Sequence, residues 1–429
     1  MAASLRERVL EHIRERGLFS EPGLALLAIS GGADSVAMLD LIAGLATELG
    51  LDLAVAHVDH GISRESSAVA DSVKTIALRY DVPCHVAVLE LGAAASETEA
   101  RNARYRELRR LQRELGARYL VTAHQLDDQA ETVLYRLLKG SGVAGLAGIP
   151  ERGPEGLVRP LLPFRRHELQ AWASRGGPDG EPLPLHRDPA NENPRHDRSW
   201  LRHDLWPVAA ARFGDGLADR LSDVARSARC ERAAWAALLR AWPELAFRAE
   251  PHAATLARVP LQRYDNVLSE ALLRALAREV GCMLGAERVG RLLELLRSGK
   301  SGRILELGKG WEAECSFDRV RIQRTPSSEE LPSATLGDSG EGAVRWGSWE
   351  FTWQSGAAGR VIRRGLTTWV SPGAMQIRRA LPGDRIVPLG GTGRRKVRRL
   401  LMEERVPLRS RASYPMIVRG SLVLWVPGV

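Results

Sequence analysis

Cysteine is scarce: four in 429 residues, Cys84, Cys230, Cys282 and Cys315, with no CxxC pair among them. That scatter argues against a zinc site, an iron–sulfur cluster or a disulfide framework, and it fits a reducing compartment. Lysine is scarcer than the basic charge suggests, with five of the 61 basic residues, so arginine carries that charge. Aromatic residues make up 5% of the chain. No apolar run reaches the ~20 residues that a membrane-spanning helix needs. The opening "MAASLRERVLEHIRERG" has arginines spread through it and no apolar centre, so it reads as an amphipathic helix and not as an export signal. These absences predict a cytoplasmic protein without a membrane partner, and nothing in the sequence calls for an obligate protein partner.

What is present is a long chain, 44% hydrophobic, with a net charge of +9. Its length exceeds what one core usually organises, so two or three domains are expected. The positive excess suggests a polyanionic partner, although a preference for arginine in the genome would inflate it as well. Where the charge lies has to decide.

Strand-like apolar runs at 24–29, 53–58, 84–89 and 118–123 alternate with helical patterns at 35–47, 65–80, 97–115 and 126–139. That alternation predicts an α/β fold with a parallel sheet over residues 1–205, whose ligands would sit at the carboxyl ends of the strands. After a stretch rich in Pro and Asn, residues 206–325 read as a mainly helical second domain. Residues 325–342, "TPSSEELPSATLGDSGEG", have the composition of a linker, and 343–429 read as a small α+β domain.

Three glycine-rich loops compete as phosphate sites. "SGKSGR" at 298–303 lacks the earlier glycine of a Walker loop, since position 294 is Glu294. "GSGVAG" at 140–145 matches GxGxxG but follows a helix, where a dinucleotide fingerprint must follow a strand. "SGGADS" at 30–35 stands where an apolar strand ends and a helical pattern begins. Unpaired N–H groups and the helix dipole there favour an anion.

This hexamer resembles the SGGxDS loop of the PP-loop ATP pyrophosphatases, enzymes that split ATP to pyrophosphate and an adenylated substrate. "HVDHG" at 57–61, "ARNARY" at 100–105, "AHQLDDQAET" at 123–132 and "LKGSGVAGLAGI" at 138–149 follow in order. With "GDRI" and "KVRRLL" between 383 and 401 and the closing "WVPGV", they resemble the tRNA(Ile)-lysidine synthetase family along the whole chain. The resemblance implies a PP-loop, adenine nucleotide α-hydrolase-like domain and a ligase using ATP and Mg²⁺. Its substrates would be free lysine and the tRNA(Ile) with a CAU anticodon, whose wobble cytidine becomes lysidine. Two rivals stay open: a 2-thiocytidine-forming PP-loop enzyme, which would depend on cysteines for sulfur chemistry, and a non-catalytic protein binding tRNA and nucleotide.

In the loop, the N–H groups of Gly31, Gly32, Ala33 and Asp34 and the hydroxyls of Ser30 and Ser35 can cradle the β- and γ-phosphates of ATP. Glycine lets the backbone approach closely. Asp34 either positions metal and reacting atoms, as the resemblance implies, or serves the helix start. His124, Asp128 and Glu131 lie together after the fourth strand, with the two acids three apart on one helical face. Such a pair can hold Mg²⁺ or grip an ammonium, or merely complement the helix dipole. The resemblance implies Asp128 as the metal or catalytic carboxylate and Glu131 as the group that places the lysine amine. It likewise implies that Arg101 and Arg104 act on developing charge and that His57 contacts the adenosine. The chain departs from the family at Ile62-Ser63-Arg64, where Leu-Arg-Pro is usual, and at Ser199 within "RSWLR", leaving Arg198 and Arg202 as candidate tRNA contacts.

Between Gln376 and Arg411, eleven Lys or Arg face three acids. In "RRKVRRLLMEERV", Val397, Leu400 and Leu401 share one face of a helical pattern. Arg395, Lys396, Arg398 and Arg399 are then left for solvent or phosphate, and with Arg379 and Arg385 they are candidate tRNA contacts.

Overall fold

The computed structural model describes residues 3–59, 66–89, 97–186, 197–298, 301–325, 331–337, 340–359 and 364–429. His60 and Gly61 of the second motif, the departure at Ile62-Ser63-Arg64, and Lys300 of "SGKSGR" lie outside them. The chain divides into two compact units, Met1–Glu231 and Arg232–Val429.

The first unit opens with α1 (Leu5–Glu15), which Ser4 and Glu7 start with a reciprocal capping box. There follow β1 (Gly23–Ala28), α2 (Ala33–Ala43), α3 (Ala46–Leu49), β2 (Leu51–Asp59) and α4 (Ser66–Arg79). Next come β3 (Cys84–Val88), α5 (Glu97–Glu114), β4 (Tyr119–Thr122), α6 (Leu126–Leu138) and the two-residue β5 (Leu157–Val158). The five strands form one parallel sheet in the order β3-β2-β1-β4-β5. Because strand side chains alternate, the sheet is buried on two faces. Ala25, Leu27, Val55 and Val121 pack with Val36, Leu39 and Ile42 of α2, whereas Leu26, Ala54, Ala56 and Leu120 pack with Leu108 and Leu111 of α5. So α2 and α5 lie on opposite sides of the sheet. All four expected strands and their helices are present within a few residues; β5 is too short to leave a pattern.

Beyond the sheet lie α7 (Arg166–Ala173), α8 (Asp197–Trp200), α9 (Trp206–Phe213) and α10 (Leu217–Ala241). The first unit continues past the boundary expected at 205, because Trp206, Ala218 and Leu221 pack on Leu126 and Ala130 of α6.

The helical reading of the middle of the chain holds, and the second unit adds a sheet that this reading did not include. Besides α11 (Arg258–Arg263), α12 (Asn266–Glu279) and α13 (Ala286–Arg297), it holds an antiparallel sheet. The sheet is built from β6 (Arg248–Glu250), β7 (Ala253–Ala257), β8 (Arg303–Gly308), β9 (Trp311–Ser316) and β10 (Arg319–Arg324), in the order β6-β7-β10-β9-β8. In β10, Val320 and Ile322 are buried while Arg319 and Arg321 alternate outward, so the strand signal was two apolar residues within an arginine-rich stretch.

The expected linker is also partly structured: β11 (Ala334–Leu336) lies inside it, with Leu336 buried, and β12 (Glu341–Trp346) begins there. β13 (Trp349–Gln354) completes a hairpin with β12. The remaining elements are β14 (Met375–Arg379), β15 (Arg385–Ile386), β16 (Arg395–Lys396), α14 (Val397–Glu403), α15 (Leu408–Ala412), β17 (Pro415–Arg419) and β18 (Leu422–Trp425). β11, β14, β17 and β18 form a sheet in that order. The helix read from "RRKVRRLLMEERV" starts only at Val397, because Arg395 and Lys396 pair with Ile386 and Arg385. Among the described residues, no helix is long and apolar enough to cross a membrane.

Candidate active site

Between β1 and α2 the chain reverses at Gly31, whose φ of +88° lies in the region that favours glycine. A Cβ there would come within 3.1 Å of Val69 Cγ1. The His186 N–H donates to the Gly31 carbonyl at 2.9 Å, tying the loop to the segment after α7. Ser35 Oγ donates to the Gly32 carbonyl at 2.8 Å and accepts from the Ser30 N–H at 3.2 Å. α2 begins at Gly32 without a side-chain cap, which leaves its first N–H groups directed out of the loop. The hexamer thus folds as a nest around a helix N-terminus, a ready anion site.

Asp34 stands in the first turn of that helix. Burial, opposed by the Arg166 guanidinium and aided by the Asp128 charge, pushes its carboxyl up to about 6. Its Oδ1 is buried without a hydrogen-bond partner, and Oδ2 lies 4.0 Å from Arg166 Nε.

α6 supplies the facing carboxylates. Its cap is Gln125, whose side chain accepts from the N–H groups of Asp127 and Asp128 and whose own N–H donates to Asp128 Oδ2 at 3.2 Å. Asp127 serves α7: its Oδ2 accepts from the Arg166 N–H at 2.8 Å.

Asp128 and Glu131 share two guanidiniums. Arg166 Nη2 lies 3.1 Å from both Asp128 Oδ1 and Glu131 Oε1. Arg202 donates from Nε and Nη2 to the two Glu131 oxygens at 2.8 and 2.7 Å, and from Nη2 to Asp128 at 3.3 Å. Burial raises the Asp128 carboxyl, with Arg166 and Arg202 opposing and Glu131 adding to the rise. Burial alone would lower Arg166, but Glu131, Asp128, Asp34 and Asp127 outweigh it and hold the guanidinium charged. Arg202, expected on tRNA, is therefore placed against Asp128 and Glu131. It sits in a single wide π-type turn at Leu201–Leu205, a distortion often found at functional sites.

Two histidines flank this centre. His57, at the end of β2, has Nδ1 2.9 Å from the Ile29 carbonyl; since a carbonyl only accepts, Nδ1 carries the proton and Nε2 is left as an acceptor. Burial lowers its pKa, so the ring is neutral. His124 Nδ1 lies 3.0 Å from Thr122 Oγ1, and burial together with Arg159, Arg101, Arg104 and Arg198 holds its pKa far down. Arg101 and Arg104 thus lie near His124, on α5, and Arg198 lies over the Tyr135 ring.

Gln125, Arg159 and Arg166 are the residues that sequence reasoning passed over. Arg166 is one arginine of "FRRHE" among many, and only folding brings it to acids 38 and 35 residues away.

Of the candidate contacts in the second unit, two have a carboxylate partner. Arg395 and Arg399 both donate to Glu403, at 2.6 and 3.2 Å, while Arg385, Lys396 and Arg398 are exposed. Arg379 closes β14.

Four carboxyl groups, those of Asp34, Asp127, Asp128 and Glu131, face the two guanidiniums of Arg166 and Arg202 in this centre. Among the described residues no three metal-ligating side chains converge. Mg²⁺ is commonly held by one or two carboxylates while substrate phosphates and water complete its shell, and the oxygens of Asp34 and Asp128 are donors of that kind. The unpartnered Asp34 Oδ1 is a fitting donor.

A parallel sheet with an anion nest after its first strand, facing carboxylates after its fourth, defines a PP-loop protein, and residues 2–209 match the family described as PP-loop domain. Residues 375–429 match the TilS substrate C-terminal domain. The chain is 32% identical to the tRNA(Ile)-lysidine synthase of Symbiobacterium thermophilum, over 99% of this chain and 93% of that one. It is 31% identical to that of Pseudomonas aeruginosa, over 100% of this chain and 94% of that one. The chain belongs to the tRNA(Ile)-lysidine synthase family. Among solved structures, the U34-tRNA thiolase NcsA from Methanococcus maripaludis overlays 52% of this chain and 78% of its own, at 17% identity and a TM-score of 0.43.

Proposed function

We propose that this chain is an ATP-dependent ligase that joins lysine to C2 of the wobble cytidine in the tRNA(Ile) with a CAU anticodon. The cytosine O2 attacks the α-phosphate of ATP and pyrophosphate leaves. The ε-amine of lysine then attacks C2, and AMP departs carrying the former O2. Cytosine oxygen is a poor leaving group, and adenylation turns it into a good one. The observation that carries this reading is one centre holding both an uncapped PP-loop helix and a carboxylate pair, in a chain similar to lysidine synthases over nearly its full length.

In this reading Ser30, Gly31, Gly32, Ala33 and Ser35 bind the β- and γ-phosphates, and His57 accepts from the adenosine through Nε2. Asp34 and Asp128 hold Mg²⁺, which supplies charge neutralisation at the phosphates when bound. Glu131 orients the lysine amine, and Arg166 and Arg202 hold the two α6 acids in place. Arg101 and Arg104 stabilise charge on the reacting phosphate or its neighbours. Positioning and preorganised charge suffice for such chemistry. The target base must be unstacked to reach the site, and a loop nucleotide is suited to that. The basic face around Lys396 and Arg398 contacts the tRNA backbone, and the cytoplasm is where the enzyme works.

The deciding experiment mixes purified protein with ATP, Mg²⁺, labelled lysine and total tRNA. Lysine bound covalently to RNA, with one AMP released per lysine, is expected. RNA thiolation, or RNA binding without lysine transfer, overturns the reading in favour of the two rivals.

A further inference from the structure

The carboxyl edge of the first unit's sheet carries a second charged cluster, opposite in sign to the acidic one. Arg101 and Arg104 stand about one turn apart on α5, with their guanidinium carbons 5.3 and 5.9 Å from the centre of the Tyr105 ring. Arg159 directly follows β5 and is only 6% exposed. Its Nη1 donates to the Pro150 carbonyl at 2.7 Å, which fixes the side chain. The Nε atoms of Arg104 and Arg159 are both buried and have no hydrogen-bond partner. Among the described residues no carboxylate is ion-paired with Arg101, Arg104 or Arg159, and burial lowers the pKa of both Arg104 and Arg159.

Buried charge without a counterion is destabilising, and a folded protein normally pairs it. Arg166 and Arg202 in this unit follow that rule, each paired with Asp128 and Glu131. The exception at Arg104 and Arg159 is a preorganised set of fork-shaped donors, the geometry that recognises phosphate.

We infer that Arg104 and Arg159, with Arg101 beside them, form a binding pocket for a phosphate group distinct from the phosphates held at the PP-loop. The distinction follows from the fold. The loop's N–H groups and hydroxyls belong to residues 30–35 between β1 and α2, whereas these guanidiniums come from α5 and from the end of β5, so they are a separate set of donors at the same edge of the sheet. The phosphate is therefore one that the α2 N-terminus does not already hold, and a phosphodiester of the RNA beside the unstacked target nucleotide is the favoured source. Naming the RNA rests on the ligase reading; the pocket itself does not. Arg159 is the residue that completes it.

The test uses the full chain with Arg159→Gln and Arg159→Lys, each checked for a cooperative thermal transition. Two affinities are measured: for ATP with Mg²⁺ in the absence of RNA, and for a CAU anticodon stem-loop RNA at several salt concentrations without ATP. Arg159→Gln is expected to weaken RNA binding about tenfold or more, the scale of one lost charged hydrogen bond. The slope of log affinity against log salt should flatten by roughly 0.7 to 0.9, while ATP affinity holds. Arg159→Lys should retain the slope and lose part of the affinity, because it keeps the charge without the fork. Weakened ATP binding with unchanged RNA binding assigns the phosphate to ATP and overturns the RNA source. A folded Arg159→Gln protein with both affinities and the slope unchanged overturns the pocket. If Arg159→Gln does not fold, Arg159→Lys decides: wild-type affinity for both probes overturns the pocket. Failure of the ligase reading would look different, as wild-type protein that binds this RNA but transfers no lysine to it.

Discussion

Asp34 meets two opposing influences: the Arg166 guanidinium favours its ionised form, and burial with the Asp128 charge disfavours it. Burial dominates, so the carboxyl titrates near 6 and not near the ordinary 3.8. A raised carboxyl means that the folded, ligand-free protein takes up a proton more readily than the unfolded chain. This residue therefore contributes stability that increases as pH falls through 6 and levels off below about 4. Cation binding runs the other way, since it needs the carboxylate. Affinity for Mg²⁺-ATP should drop about tenfold from pH 7 to pH 5, the range over which a group of pKa 6 becomes mostly protonated. Calorimetric titrations at pH 5, 6 and 7 measure it, with Asp34→Asn as the control in which the pH dependence shrinks; an equally steep profile in that variant would remove Asp34 as its source. Glu131 lies farther from the loop, with both oxygens bound by Arg202. Glu131→Gln should raise the lysine concentration needed for half-maximal rate by about tenfold or more, the scale of one charged hydrogen bond, and spare ATP affinity. Equal loss of both would assign Glu131 to ATP or metal. The residues foreseen at this centre were those with a local signature: small residues at a strand end, or acids spaced along a helix. Arg166 and Arg159 had none, because a buried arginine and a solvated one read alike in a chain so rich in arginine.

At the scale of elements, the site depends on where helices start. α2 starts uncapped and leaves its N–H groups for a ligand; α6 starts with Gln125 occupying its own. Asp127 then couples the two by reaching across to the first turn of α7, which carries Arg166. The alternation of apolar runs and helical patterns made the parallel sheet legible, because strands buried on both faces are continuously apolar. The cap of α6 was not, since Gln125 and Asp127 both stand where a helix can start and only the position of α7, which takes Asp127, separates them. The antiparallel sheet of the second unit was hidden for a related reason: its strands are short and broken by charge, arginine alternating with apolar residues in β10 and glutamate in β9, as an amphipathic helix fragment also reads. Gly31 tests the element-level account of the loop. Alanine there keeps the chemistry but must adopt a φ of +88° with its Cβ near Val69. Such strain is of order 1–3 kcal/mol. A fall in melting temperature of roughly 2–10 °C is expected, together with weaker ATP binding. A variant that melts and binds ATP as the wild type does would mean that the turn tolerates a side chain and that glycine is not required for it.

At the scale of the whole molecule the question is which part of the +9 charge meets RNA. Counting arginines between Gln376 and Arg411 overstates what is available, because Arg395 and Arg399 share Glu403 and Arg378 is paired with Asp384. Lys396 and Arg398 are exposed, and Val397, Leu400 and Leu401 between and beyond them are buried, so changing the former should not disturb packing. If this face contacts the tRNA backbone, Lys396→Ala with Arg398→Ala should weaken tRNA binding. The slope of log affinity against log salt should then flatten by roughly 1.4 to 1.8, two contacts' worth. Glu403→Gln carries the opposite expectation: it releases Arg395 and Arg399, so affinity should rise and the slope steepen. ATP binding should be unchanged in both, since the loop belongs to the other unit. A solvated face that never meets RNA predicts no change in either variant. Glu403→Gln is the more telling of the two, because general damage to the domain lowers affinity and cannot raise it.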